Sequence, residues 1–339
     1  MGTDLLSIPH LQDELSRPND ADCRFMSELS GDLIVLGAGG KMGPSLVRRA
    51  RRAADEAGVR CRIIAVSRFG SREAVRQFAE WGVEAISCDL LERDQIGRLP
   101  DCANVLFLAG RKFGSTENRP LTWATNTLIP ALVAERFRGS RIVALSSGNV
   151  YPLAVSGATE ETLPAPVGEY AQSVLGRERV LEYYSNRENM PVAIIRLNYA
   201  IDLRYGVLLD IGLRVWERQP VPLAMGSVNV IWQGDANSLI LRALALASAP
   251  PRVLNVTGPE TLRVCWIAER FGEFFDIKPR FQGQEVEAAL LSDSSLCCRL
   301  LGPPSVTANQ LIRWQAEWIR AGLPTLGKPT HFEVRDGVF

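Results

Sequence analysis

The chain has 339 residues, with 38 Lys+Arg against 38 Asp+Glu and so no net charge at pH 7. Hydrophobic residues at 46% and charged residues at 22% are the proportions of a globular protein and exclude a disordered one. The balanced charge argues against a nucleic acid held by bulk electrostatics. No apolar run reaches the ~18 residues of a membrane helix. The opening MGTDLLSIPHLQDELSRPND is acidic and lacks the apolar core of a secretory signal. Seven cysteines, at 23, 61, 88, 102, 265, 297 and 298, form no C-x-x-C pair and read as free thiols of a reducing cytoplasm. The two histidines, His10 and His331, sit near opposite ends, so a histidine-rich metal site is excluded and no metal is expected.

Residues 1–30 read as an N-terminal arm, with one amphipathic helix around Ile8–Leu15. Short apolar runs follow at 32–36, 62–66, 104–109, 141–146, 192–197 and 252–256. Helical stretches at 44–57, 71–81, 121–138 and 170–184 separate the early ones. Unalternated β-rich runs alternating with helices imply parallel strands buried on both faces. The expected fold is therefore α/β, a doubly wound Rossmann-type sheet, with a smaller mixed α/β region capping the substrate. Residues 31–199 plus 229–256 are assigned to the dinucleotide-binding part. Residues 200–228 plus 257–326, punctuated by proline pairs, are assigned to the cap and 327–339 to a tail.

The first run ends in Gly37-Ala-Gly39-Gly40-Lys41-Met42-Gly43, followed by Pro44 and a helix. Glycines between a strand and a helix let the backbone approach a pyrophosphate, and the helix N-terminus offers unpaired N–H groups. All of Gly37, Gly39, Gly40, Lys41, Met42 and Gly43 are therefore candidate cofactor residues. The second strand ends in Ser67-Arg68, with Arg72 close behind and no carboxylate. An acidic residue there would bind the 2′-hydroxyl of NAD. Two arginines instead suit the 2′-phosphate of NADP, so NADP is preferred over NAD. Asp89 and Leu90 follow another strand-like run and are placed near the adenine.

With Gly37-x-x-Gly40-x-x-Gly43, Asp89-Leu90, Leu108-Ala109-Gly110, Ser146-Ser-Gly-Asn-Val-Tyr151, Tyr170, Arg196-Leu-Asn198 and Leu254-Asn-Val-Thr-Gly-Pro-Glu260, the chain resembles the extended short-chain dehydrogenase/reductases, the NAD-dependent epimerase/dehydratase group. The resemblance spans about residues 31–320. It implies cofactor contacts from Ala109 and Gly110, a Ser147 that hydrogen-bonds the substrate oxygen, a Tyr170 that passes the proton, and substrate contacts from Asn149 and Asn198. It also implies a homodimer paired through the helices at 121–138 and 170–184.

Two departures stand out. The family's Tyr-x-x-x-Lys reads Tyr170-Ala-Gln-Ser-Val174 here. If the lysine lowers the tyrosine pKa by ~2 units, its loss forfeits roughly 2.7 kcal/mol of phenolate stabilisation. Lys112, beside the fourth strand, is the candidate replacement, with Arg111 and Lys41 as other choices. An arginine that holds the nucleotide in sugar-nucleotide enzymes of the family aligns with Val228, which favours a smaller substrate such as a free sugar, sugar acid or polyol. Arg204, Arg214 and Arg218 are open to either anion binding or plain solvation.

Three functions fit. The first is an NAD(P)-dependent oxidoreductase passing hydride to or from a small sugar-like carbonyl or alcohol. The second is a sugar or sugar-nucleotide epimerase or dehydratase with retained NAD. The third is a non-catalytic dinucleotide-binding protein. In each the partner is a small molecule, with neither nucleic acid nor membrane.

Overall fold

The computed structural model describes residues 6–112 and 114–337. The first five residues of the N-terminal segment and the last two of the tail lie outside them. Seven parallel strands form the central sheet: β1 (Leu33–Leu36), β2 (Ile63–Ser67), β3 (Glu84–Ser87), β4 (Asn104–Phe107), β5 (Arg141–Ser147), β6 (Val192–Leu197) and β7 (Arg252–Val256). Their order is β7-β6-β5-β4-β1-β2-β3. Leu33 lies opposite both Ile63 and Asn104, so β1 is central.

Alternation explains why these runs are apolar throughout. Leu33 and Val35 enter one hydrophobic cluster while Ile34 and Leu36 enter the cluster on the other face; Ile63 and Ala65 divide from Ile64 and Val66 in the same way. The strand order reverses between β1 and β4, and ligands of open α/β sheets bind at the carboxyl ends beside such a reversal.

The N-terminal segment forms two helices packed on the body, α1 (Ile8–Leu15) and α2 (Asp20–Glu28). Leu11 and Leu15 are fully buried in the cluster that also holds the cap. From α2, Asp22 is 0% exposed and meets Arg49, itself 4% exposed, through Nε at 2.7 Å and NH2 at 2.6 Å. Asp22 also accepts from Ser238 at 2.6 Å.

Helices α3 (Gly43–Glu56), α4 (Arg72–Glu80) and α5 (Arg93–Gly97) follow β1, β2 and β3. The single helix expected over 121–138 is instead α6 (Arg119–Trp123), a π turn (Ala124–Leu128) and α7 (Ile129–Arg136). Pro130 has no N–H to give the carbonyl four residues back, and a π turn is one way a helix absorbs that gap. After β5 comes α8 (Gly168–Glu188).

The remaining helices are α9 (Val207–Trp216), α10 (Gln233–Arg242), α11 (Val264–Phe275), α12 (Ser295–Leu301) and α13 (Ala308–Arg320). α9, α11 and α13 pack on one another with Phe271, Trp318 and Ile312 between them. Short strand pairs, Pro220–Pro222 with Arg280–Gln282 and Ser227–Val228 with Leu262–Arg263, complete this region. The tail closes over it and buries Phe332 in the same cluster. Among the described residues, no helix is long and apolar enough to cross a membrane.

The buried Asp22–Arg49 pair should dominate docking of the N-terminal helices. Removing one partner of such a pair strands the other charge and costs about 3 kcal/mol. Urea unfolding of Asp22→Ala is expected to show that loss. Asp22→Ala combined with Arg49→Met should cost clearly less than the sum of the single changes.

Candidate active site and cofactor groove

The glycine turn joins β1 to α3 with no room to spare. Gly37 has φ +91, and a Cβ there would stand 2.6 Å from the Ala109 nitrogen. A Cβ on Gly43 would stand 2.2 Å from the Ala38 carbonyl oxygen. Gly37 therefore fixes the approach of the turn to the β4 loop, and Gly43 lets α3 begin against the turn. Gly40 meets only the Gly37 oxygen and otherwise faces open space. Met42 at the helix cap makes no side-chain capping bond, which leaves the first N–H groups of α3 without that partner.

Beside this turn lies a groove of about 350 Å³ at the carboxyl ends of β1, β2 and β4. Gly37, Gly39, Gly40, Ser67, Arg68, Asp89, Leu90, Ala109 and Gly110 line it, as the sequence leads one to expect. Arg111, Leu121, Thr125 and Ile129 line it as well, contributed by the β4 loop and by α6, the π turn and α7. Gly43 is buried at the start of α3, and Arg72, the exposed first residue of α4, lies outside the groove lining. Arg68 stands at the rim, its side chain 78% exposed and 3.8 Å from Asp89. A wider depression of about 810 Å³ lies at the opposite edge of the sheet, by Asp32, Arg62 and Trp81, remote from the strand carboxyl ends.

Lys41 and Met42 leave the turn on its other side. They line a second cavity of about 150 Å³ together with Ser147, Asn149, Asn198, Tyr205, Lys112 and Thr330. Lys41 Nζ donates to the Ala200 carbonyl at 3.0 Å and lies 4.2 Å from the Tyr205 ring centre. A third cavity, of about 220 Å³, links the two regions and is lined by Gly110, Lys112, Ser147, Tyr170, Val174 and Arg177 among others.

Ser147 ends β5. Its hydroxyl donates to Asn149 Oδ1 at 2.9 Å and accepts from the Asn149 N–H at 3.2 Å. Tyr170 and Ser147 line the same cavity, with Ser147 near enough to favour the phenolate. Burial pushes the Tyr170 phenol above its usual pKa, while Ser147 and the Arg177 charge pull it back down. Asn198 is 3% exposed and donates to the Leu290 carbonyl at 3.2 Å.

Val174, where a lysine is missing, is buried with Val150, Tyr151 and Ala158. The cation that acts on Tyr170 comes from one turn further along α8. Arg177 is 4% exposed, donating through NH1 to the Leu145 carbonyl at 2.6 Å and through NH2 to Asn126 Oδ1 at 2.8 Å. Among the described residues its Nε has no hydrogen-bond partner. A Cβ on Gly110 would stand 2.6 Å from Arg177 NH2, so the glycine makes space for the guanidinium. Burial pulls Arg177 down to about 10. Lys112 lies 5.9 Å from the Tyr170 ring centre, and burial pulls it down to about 8; Lys41 is pulled down to about 8 by the same cause.

Sequence reasoning missed Arg177 and Asn126. Asn126 sits in the π turn, accepts from the Arg111 N–H at 3.0 Å and donates to Ser173 at 2.9 Å. Its only trace in the sequence is Pro130 four residues on. Other quoted motif residues serve as framework. Arg196 forks onto Glu178 at 2.7 and 3.0 Å and donates to the Tyr151 hydroxyl at 2.8 Å. Asp235 accepts from Ser305 and Val306. Val228 is fully buried, Arg204 forks onto Asp202, and Arg214 reaches the Pro220 carbonyl; none of the three lines the 150 Å³ cavity.

Residues 33–200 match the model of the NAD dependent epimerase/dehydratase family, and the chain belongs to that family. No curated protein sequence matches it. Several hundred solved chains share its fold. A UDP-glucose 4-epimerase with UDP-glucose from Thermotoga maritima superposes with TM-score 0.69 at 17% identity, over 86% of this chain and 99% of that one. A UDP-glucuronic acid 4-epimerase with NAD from Bacillus cereus gives 0.69 at 16%, over 85% and 98%. An epimerase from Methanothermobacter thermautotrophicus gives 0.71 at 18%, over 89% and 96%.

The depressed lysines carry a signed expectation. In the folded chain Lys41 and Lys112 release their protons near 8, whereas unfolded lysine does so near 10.4. Between those values the unfolded state binds more protons, so these lysines make stability rise with pH, by at most about 1.4 kcal/mol per pH unit each. Unfolding free energies at pH 8 and pH 10 should therefore diverge less in Lys41→Met and in Lys112→Met than in the wild type.

Proposed function

We propose that the chain is an NAD(P)-dependent oxidoreductase acting on a small polyhydroxylated, sugar-like carbonyl or alcohol. The observation that carries this reading is the placement of Ser147 and Tyr170 on one cavity wall at the carboxyl end of β5, between a dinucleotide-sized groove and a small polar cavity. The glycine turn with its open Gly40 and the uncapped start of α3 suit a pyrophosphate. A nicotinamide bound in the groove supplies or accepts the hydride at its C4.

Ser147 donates to the oxygen of the reacting carbon and polarises it. Tyr170 gives that oxygen a proton in reduction and takes it in oxidation. Arg177 supplies the positive charge that a lysine at position 174 would have supplied, and Asn126 and Leu145 hold it in place. Asn149 and Asn198 orient the substrate hydroxyls, and Lys112 faces the substrate from the β4 loop. Residues 31–199 with 229–256 then serve the dinucleotide, and residues 200–228 with 257–326 serve the substrate.

NADP is the preferred cofactor in this reading. Arg68 at the rim and the absence of a carboxylate at the end of β2 support it; Asp89, 3.8 Å from Arg68, and the solved relative with NAD support NAD as the alternative. A family-typical epimerase or dehydratase with retained NAD is the second reading, favoured by the matches to UDP-sugar epimerases. The lining of the 150 Å³ cavity beside Ser147 includes no arginine to hold a diphosphate, which favours the first. We also place the protein in the cytoplasm, as a homodimer. The exposed Trp123, Leu128 and Tyr183 on α6, the π turn and α8 support an interface there.

Mass spectrometry of the purified protein and fluorescence titration with NADPH and NADH test the cofactor. Empty protein with NADPH preference is expected, and Arg68→Ala should lose about tenfold in NADPH affinity, about 1.4 kcal/mol. Retained NAD would move the epimerase reading to first place. Tyr170→Phe should abolish turnover while dinucleotide binding persists; unchanged turnover would remove the mechanism. Arg177→Met should move the basic limb of the kcat profile to higher pH, with Arg177→Lys between it and the wild type.

A further inference from the structure

The tail is fastened at both of its ends. After α13, residues 324–329 run exposed, and residues 330–337 then turn back onto the body. Thr330 is 3% exposed; its N–H donates to Asp210 Oδ2 of α9 at 2.8 Å, and its hydroxyl donates to the same oxygen. Phe332 is buried in the cap core, and Arg335 NH1 donates to the Ala224 and Ala288 carbonyls at 2.9 and 2.7 Å. The far end meets the start of α8 instead. A Cβ on Gly337 would stand 2.2 Å from the Val167 oxygen, and a Cβ on Gly168 would stand 2.3 Å from the Gly337 oxygen. Both glycines have positive φ, +72 and +82, so backbone meets backbone there, just ahead of Tyr170.

Between these fastenings the segment walls the space beside Ser147. Thr330 lines the 150 Å³ cavity there. It also lines a further space of about 40 Å³, with His331 and Phe332 of the tail on one side and Asn149 and Tyr199 on the other. Asn149, Tyr199 and Thr330 belong to both linings, so the second space continues the first. A water takes about 30 Å³ of liquid volume, so the docked tail leaves little more than one water's share past Asn149 and no room for a second sugar ring. Tyr199, with φ 40, and His331, with φ 54, both line the 40 Å³ space in a backbone conformation that side chains seldom adopt. Such conformations persist where the surroundings over-determine them, and they concentrate at ligand clamps and switch regions.

We propose that residues 330–337 are a strap that sets the length of the substrate. Docked, it stops a polyol whose reacting carbon lies at Ser147 from extending past Asn149. The site then takes a single small polyol and refuses one that carries a second ring. The exposed link at 324–329, with Gly327 at φ +61, is the hinge, and the Gly168–Gly337 contact is the latch. None of residues 330–337 lines the dinucleotide groove or the 220 Å³ cavity, so withdrawing the strap leaves the cofactor side in place. The proposal rests on the oxidoreductase reading for the reacting end and adds the segment that determines specificity.

The test compares the full-length chain with a released form: Gly337→Val carrying a protease site after Gly327, cut once the protein has folded, in an exposed link that tolerates insertion. Hydrogen exchange across 330–337 reports docking. It should quicken about tenfold or more in uncut Gly337→Val; unchanged exchange means that the glycine contact is no latch and overturns the proposal. Asn149→Cys is then labelled in both forms with methyl methanethiosulfonate and with fluorescein maleimide. Peptide mass mapping separates it from the part-exposed Cys23, Cys265 and Cys298. The bulky maleimide should react about tenfold faster in the released form, while the small reagent changes less than about threefold. A maleimide rate that is the same in both forms overturns the proposal. Turnover is read separately, with Asn149 native: glucose against maltose and sorbitol against maltitol, with NADPH and with NADP. A preference of about tenfold or more for the smaller member should fall to within about threefold on release. An equal preference in both forms overturns the strap and leaves the oxidoreductase reading standing. No turnover of any mono- or disaccharide polyol, with labelling as expected, leaves the strap and removes that reading.

Discussion

The guanidinium of Arg177 is the point on which the site depends. Buried at 4% exposure, it needs acceptors, and it finds them in the Leu145 carbonyl of β5 and the Asn126 amide of the π turn. Those two bonds join three elements that diverge elsewhere: the strand that delivers Ser147, the helix that delivers Tyr170, and the helix pair that walls the groove. Gly110 belongs to the same node, because any side chain there would displace the guanidinium. One buried cation thus ties the strand of Ser147 and the helix of Tyr170 to the wall of the groove.

Helix geometry explains how Arg177 reaches the tyrosine from beyond Val174. Residues four apart and seven apart share a helix face, so Val174 and Arg177 both follow Tyr170 along one stripe of α8. The valine packs into the small cluster around Val150 and Tyr151, and the longer arginine reaches past it toward the phenol. Arginine also holds its charge better than lysine under burial. At about 10, Arg177 stays protonated where Lys112 and Lys41, near 8, are close to losing their protons. The groups thereby divide into a permanent charge beside the tyrosine and two adjustable ones on the wall of the 150 Å³ cavity.

Much of this was legible beforehand. The strands of the sheet announce themselves because burial on both faces demands unbroken apolar runs, and Gly37 and Gly43 are required by the contacts a Cβ would make. The order Ser147, Tyr170, Asn198 along the chain carried over to one neighbourhood. Other features depend on distance through space, which no local pattern records. Asp22 is an aspartate in an ordinary amphipathic helix until Arg49 is seen against it. Arg72 looks like a partner for Arg68 in sequence, but the chain turns at Phe69, with φ 37, and starts α4 outside the groove lining. Lys41 reads as part of the phosphate turn, and only the loop at Ala200–Tyr205 shows that its ammonium goes the other way.

That reversal at Lys41 links the cofactor side to the substrate side. A residue placed between two glycines of the turn lines the 150 Å³ cavity, so the same seven-residue loop borders both that space and the groove. Gly37–Gly40 would hold a pyrophosphate on one side of the turn, and the Lys41 ammonium sits by the Tyr205 ring near the Asp202–Arg204 fork on the other. The tail meets this arrangement from the far side, tying Thr330 to Asp210 and Gly337 to the first residues of α8. The space beside Ser147 therefore lies between the glycine turn and a tail packed against the helix of Tyr170. The tail thereby bears on the size of that space, because Thr330 forms part of its wall while Gly337 packs against the start of α8.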